Sequence, residues 1–195
     1  MTREGRPEEY TGEGYFTDGA LRPEIFKAYL PLYEAALAYL PVREKCSTVV
    51  DLGCGVGCFA KVLFDRGCTK YVGVDFSPAM IEKAKICVPK ANFVLTDLRS
   101  DEVREIYRGH KIFVCLETLE HVIKDVEVLE KIPSRSLVIL SVPQQFDTSM
   151  GFHVRYFDSK KKVINRYKHL LDFIESRVLY EKTKSKVFLF KTIRK

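Results

Sequence analysis

The sequence predicts an α/β fold, with a mostly parallel sheet and helices on both faces, on three observations. Five short apolar runs recur along the chain, each followed by a stretch with helical spacing. The runs are continuous rather than alternating, as in strands buried on both faces. The chain then closes with two β-rich runs joined only by Glu181–Ser185, which read as an antiparallel hairpin.

The apolar runs are Thr48–Leu52, Tyr71–Asp75, Asn92–Thr96, Ile112–Leu116 and Leu137–Val142. Strand–helix repetition at this spacing implies right-handed crossovers and parallel pairing. The intervening helices start near Gly57, Pro78, Asp101 and Leu119. Ser77 caps the second of them, with Pro78 at its first position, where a missing N–H does no harm. Ahead of the sheet, Pro23 opens a helix with Ile25, Phe26, Tyr29, Tyr33, Ala36, Leu37 and Leu40 at helical spacing. Pro31 should kink that helix and Pro41 ends it. After the fifth run come a loop, 143–157, and a helix with the apolar stripe Val163, Ile164, Tyr167, Leu170, Leu171 and Ile174. The hairpin runs are Arg177–Tyr180 and Lys186–Thr192, which brings the sheet to seven strands.

Composition bounds the rest. A chain of 195 residues implies one domain, 1–195, with a cap segment and helix over 1–45 and a core over 46–195. At 46% hydrophobic and 30% charged residues, it is not a disordered chain, a collagen or a coiled coil. No apolar run approaches the ~20 residues that span a bilayer. The first ten residues lack the apolar core of a signal peptide, so a soluble, cytoplasmic protein is expected. Most of the six cysteines then read as small buried hydrophobes rather than disulfides. Cys54 and Cys58 lack the second Cys/His pair of a zinc site. The net charge of +6 is uneven, since residues 151–195 hold 13 Lys+Arg against 4 Asp+Glu. Lys160, Lys161, Lys162, Arg166 and Lys168 fall on the polar face of the last helix, a solvated face or a contact for an anionic partner.

The sharpest signal is Val49-Val50-Asp51-Leu52-Gly53-Cys54-Gly55-Val56-Gly57, at the end of the first strand and the start of a helix. Glycines there allow a tight turn and a close ligand approach. A dinucleotide fingerprint needs its third glycine at position 58, which is Cys58; here it stands at 57. That departure, with Asp51 leading, argues against a pyrophosphate and for a cofactor carrying an ammonium group. Asp75 ends the second strand, where a carboxylate can accept hydrogen bonds from a ribose diol. Asp97 and Leu98 end the third, where an oxygen and a backbone N–H can read an adenine edge, and Phe76 can pack on that base.

These residues resemble the class I S-adenosylmethionine-dependent methyltransferases. The matching stretches are VVDLGCGVG, VGVDFSPAMIEKAK, NFVLTD and FVCLETLEHV, in order and register over about residues 48–142. The resemblance implies a Rossmann-like sheet and S-adenosylmethionine as cofactor. It implies that Gly53, Gly55 and Gly57 form the loop beside the methionine portion and that Asp51 orients its amino group. Asp75 would hold the ribose and Asp97 and Leu98 the adenine, with Phe76 and Glu117 also lining the cofactor.

The acceptor side is read from Glu117-Thr118-Leu119-Glu120-His121 and from His153 in the loop after the fifth strand. If Thr118 caps the fourth helix, Glu117, Glu120 and His121 cluster on its first turn. His121 and His153 are the candidate general bases. Two carboxylates and two imidazoles also suit a divalent metal. Glu-x-x-Glu-His with a later His resembles the small-RNA 2′-O-methyltransferases and the ubiquinone-pathway O-methyltransferases. The expectation is a metal-free O-methyltransferase of a small molecule. The alternatives are an RNA 2′-O-methyltransferase with a Glu117, Glu120, His121 and His153 metal site, and a catalytically silent cofactor-binding module. Tyr10, Tyr15 and Phe16 are candidates to fold over the pocket.

Overall fold

The computed structural model describes residues 23–41, 47–146, 153–180 and 186–195. Its strands are β1 (Val49–Leu52), β2 (Tyr71–Asp75), β3 (Asn92–Leu95), β4 (Ile112–Leu116), β5 (Leu137–Pro143), β6 (Leu171–Tyr180) and β7 (Lys186–Arg194). They form one sheet in the order β3-β2-β1-β4-β5-β7-β6. The first five pair in parallel, and β7 enters antiparallel between β5 and β6. The helices are α1 (Pro23–Tyr39), α2 (Cys58–Asp65), α3 (Pro78–Cys87), α4 (Val103–Tyr107), α5 (Asp125–Glu130) and α6 (Lys160–Tyr167).

The strand pleat sorts the apolar residues into two cores. Val49, Tyr71, Ile112, Val114 and Ile139 face α1, α2 and α3. Val50, Leu52, Phe113, Cys115 and Val138 face α4, α5 and α6. Helices therefore cover both faces, as the continuous apolar runs predict. Ser77 caps α3 by accepting from the Met80 amide at 3.3 Å, with Pro78 at the first position. No helix among the described residues is long and apolar enough to cross a membrane. Cys54, Cys58, Cys68, Cys87 and Cys115 are free thiols.

Two sequence expectations are corrected. The stripe from Val163 to Ile174 is not one helix. α6 ends at Tyr167, and β6 starts at Leu171 rather than at Arg177. Leu171 is almost fully buried but Ile174 is 62% exposed, at the irregularity of the β6–β7 ladder. Pairing with β7 has overridden a helical spacing. The helix expected at Leu119 is also broken. A single 3₁₀ turn covers Leu119–His121, and α5 begins only at Asp125. Thr118 makes no capping bond; its hydroxyl lies 3.2 Å from the Leu52 carbonyl and 3.0 Å from that of Leu116.

Gly73, in the middle of β2, is required for space. A Cβ there would lie 2.8 Å from the Phe93 ring, 2.9 Å from Cys54 Sγ and 2.9 Å from the Tyr71 ring. We expect Gly73→Ala to destabilise the protein by about 1–3 kcal/mol through overpacking. Denaturant unfolding of the variant checks this, and an unchanged midpoint would contradict it.

Candidate active site

The carboxyl ends of β1, β2 and β4 meet where the sheet order reverses, the usual ligand crevice of such sheets. The loop after β1 turns sharply, with Gly53 at φ +76° and Gly55 at φ +52°. Their reasons differ. A Cβ on Gly53 would sit 2.5 Å from Thr118 Cγ2, so Gly53 admits the β4 loop. A Cβ on Gly55 would meet nothing within 4 Å, so Gly55 presents an open backbone to the crevice. Gly57 packs the start of α2 closely against Ala84 and Phe93.

Two buried carboxylates flank this loop. Asp75 accepts from the Gly55 amide and from the Ser77 amide, each at 2.9 Å, one on each oxygen. With the Phe76 amide as a further donor, the carboxylate keeps acceptor capacity for a ligand hydroxyl. Burial raises the Asp75 pKa, against the lowering effect of the backbone N–H groups of Ser77, Gly55 and Phe76. Asp51 accepts from the Tyr71 hydroxyl at 2.6 Å. Burial pushes its carboxyl up to about 7, the Tyr71 hydrogen bond lowers it, and nearby Asp75 raises it. An acid titrating there is half neutral near pH 7 and becomes anionic beside a cation. An ammonium ligand should thus bind less tightly as pH falls through about 7. The free protein has the opposite preference. A folded pKa raised from 3.8 makes this group's contribution to stability greatest below 3.8, and that contribution fades as pH rises through about 7. Tyr71→Phe should move the binding midpoint to higher pH; calorimetry across pH checks both statements, and flat profiles would contradict them.

At the end of β3, Asp97 accepts from the Arg99 guanidinium and amide at 2.5–2.9 Å. Burial raises its pKa, but these bonds outweigh it and the net shift is downward. Its oxygens thus have a local partner that the sequence reading did not include. Leu98 is buried in the core on the α4–α6 side, and Phe76 is half-buried beside Asp75.

The histidines come together. The rings of His121 and His153 lie 4.5 Å apart at 86°. His153 Nδ1 bonds Gln145 Oε1; with Nδ1 as donor, Nε2 carries the lone pair. Burial lowers the His153 pKa to about 4, with help from His121, so the imidazole is neutral near pH 7. Glu120 is buried, its Oε2 has no hydrogen-bond partner, and burial together with the charge of Glu117 raises its pKa. Ligand atoms of Glu120, His121 and His153 lie within 4.8 Å of one another.

Glu117 is not among those three ligand residues, although its charge reaches Glu120, and it stands just before the 3₁₀ turn rather than on the first turn of a helix. It takes the left-handed conformation, φ 51°, which is uncommon for a residue with a side chain. Its amide donates to Ser141 Oγ at 3.0 Å, and the Ser141 hydroxyl donates to Glu117 Oε1 at 2.7 Å.

Tyr33 on α1 was not singled out by the sequence. It packs on Phe59, with centroids 6.0 Å apart, and on the loop residues Val56 and Cys58. Desolvation, with Cys58, Asp51 and Glu117 close by, keeps its phenol protonated. The only prior signal was its place on the apolar face of α1. The expected covers Tyr10, Tyr15 and Phe16 lie outside the described residues.

Comparison with known proteins gives the family and the fold. Residues 21–179 match the family model described as a methyltransferase domain. A trans-aconitate 2-methyltransferase from Enterobacter sp. (strain 638) is 43% identical over 57 residues, 29% of this chain and 23% of that protein. The chain thus spans about a quarter of the length of the curated relatives it matches. Among solved structures, the N-methyltransferase NodS from Bradyrhizobium japonicum WM9, in complex with S-adenosyl-L-homocysteine, has a TM-score of 0.70 at 13% identity, covering 96% of each chain. Magnesium protoporphyrin IX methyltransferase from Synechocystis PCC 6803, with bound SAM, has a TM-score of 0.63 at 16% identity, covering 94% of this chain and 86% of that one. Both show the fold. The chain belongs to the methyltransferase domain family, within the class I S-adenosylmethionine-dependent superfamily.

Proposed function

We propose that the chain transfers the methyl group of S-adenosylmethionine to a hydroxyl of a small molecule, with His153 as the base and no metal. The observation that carries this reading is the pairing of His121 and His153 beside the glycine loop's end of the sheet. The residues fit the cofactor: a side chain at Gly55 would meet open space, and Asp51 and Asp75 are buried acceptors. In this reading Asp51 meets the ammonium group, Gly53 and Gly55 flank the methionine portion and Gly57 closes the loop. Asp75 takes the ribose diol, Phe76 packs on the base, Asp97 and Leu98 border the adenine, and Glu117 lines the methionine end. When bound, the sulfonium supplies an already activated methyl group. The chain's part is to hold the acceptor oxygen in line, exclude water and remove its proton. His153 Nε2 is the free lone pair for that proton, and His121 packs edge-on against the same ring.

Three observations support a small acceptor over RNA and a metal-free site over a metal. The basic face is partly consumed within the chain. Lys162 pairs with Asp158 at 2.8 Å, Lys160 bonds Ser176 at 3.1 Å and Arg166 bonds Asp125 at 2.6 and 2.7 Å. Glu117 is held by Ser141, which leaves three candidate ligands rather than four. A relative named for trans-aconitate favours a small acceptor.

The test is transfer of a labelled methyl group into pools of small hydroxyl compounds and RNA, with and without chelator. Label in a small compound that survives chelation supports the reading. Label in RNA overturns it, and changing Lys160, Lys161 and Lys162 to Ala then tests phosphate contact, each contact contributing about −0.7 to the salt slope. Loss of transfer on chelation overturns the metal-free part.

A further inference from the structure

Arg155 has more anchors than its exposure requires. It stands two residues after His153, and its side chain is only 14% exposed. Its guanidinium donates to the carbonyls of Leu119, Val122 and Ile123, the last at 2.8 Å. These carbonyls belong to the turn that carries His121 and to the two residues after it. Between them, the Val154 amide donates to the Glu120 carbonyl at 2.9 Å. The segment 153–155 is thus fastened to 119–123 along its length.

The guanidinium is itself braced from beneath. Asp125, fully buried at the start of α5, lies 3.2 Å from Arg155 Nη2. Its two oxygens also accept from Arg166 at 2.6 and 2.7 Å and from the Tyr167 hydroxyl at 2.6 Å. Those donors come from α6, the element that follows the His153 loop. A buried guanidinium without a counter-charge would be strongly disfavoured. One carboxylate therefore sets where Arg155 sits, and Arg155 sets where the backbone on either side of the histidine pair sits. The planar fork matters because it reaches several carbonyls at once, which an ammonium does less well.

We infer that Arg155, braced by Asp125, is a positioning residue for His153, fixing its ring against His121. The inference rests on the proposed reading of His153 as the base. A base must come within about 2.6–3.2 Å of the proton it removes. Misplacing it by about 1 Å lowers turnover by about 10²-fold.

The test uses the full chain with S-adenosylhomocysteine bound, in the variants Arg155→Met and Arg155→Lys. Affinity for S-adenosylhomocysteine should stay within about twofold of the parent, because the cofactor residues are not touched. The NMR cross-relaxation between the His121 and His153 rings should be lost, and exchange of the Val154 amide should quicken by about tenfold while sheet amides keep their protection. Arg155→Lys retains the charge facing Asp125, so it decides the matter if Arg155→Met does not fold. Parent-like ring contact and Val154 protection in a variant that binds S-adenosylhomocysteine normally would overturn the inference. Unchanged transfer in His153→Ala would instead overturn the base reading, and the ring geometry would still report on Arg155.

Discussion

Replacing Asp75 with alanine is expected to weaken S-adenosylmethionine binding by about 2–4 kcal/mol, a loss of roughly 30- to 1000-fold. Two effects add in the same direction. The variant loses the acceptors proposed for the ribose diol. It also frees the Gly55 amide, which Asp75 holds at 2.9 Å, so the glycine loop loses one of its ties to β2 and keeps those of the Gly53 and Cys54 amides to the Val74 carbonyl. Calorimetry measures the loss directly. An unchanged affinity would remove Asp75 from the site and with it the assignment of the crevice. Asp75→Asn should fall between the parent and Asp75→Ala, because one carbonyl oxygen remains as an acceptor.

The second large effect is on turnover. Changing His153 to Ala should lower the rate of methyl transfer by about 10²–10⁴-fold, the range for removing a general base. Donor affinity should hardly change, since His153 bonds Gln145 and touches His121 rather than the glycine loop. The neutral state of His153 also sets the sign of its pH dependence. With a pKa near 4, its base form persists throughout the neutral range and is lost only as pH falls toward that value. The fall in donor binding expected at about pH 7 thus belongs to Asp51 and should appear in affinity rather than in the maximal rate. A His153→Ala variant with parent-like turnover would contradict the role.

Much of this was legible in the sequence because it is local. The runs Tyr71–Asp75 and Ile112–Leu116 are β2 and β4 to the residue, since continuous apolar residues leave little choice of register between two covered faces. Ser77 and Pro78 announce α3 through a cap within four residues. What was not legible is set by partners distant in the chain. Glu117 gives no sign in the sequence that Ser141, on the neighbouring strand, bonds both its amide and its carboxylate. Tyr71 reads as an ordinary strand residue until β1 and β2 pair and bring its hydroxyl to Asp51. Arg166 reads as a surface charge until α6 packs on α5 and Asp125 takes it. The stripe that runs past Tyr167 kept a helical period into β6 by coincidence, and only the antiparallel ladder with β7 distinguishes the two.

The central claim is that the crevice beside Gly55, Asp51 and Asp75 takes an S-adenosyl cofactor with its ammonium group, and not a pyrophosphate. Calorimetric titration of the full chain with S-adenosylmethionine, S-adenosylhomocysteine and NAD at pH 8 tests it most directly. Saturable binding of the first two at one site, undisturbed by NAD, is the predicted result. Binding of NAD in their place would contradict the claim.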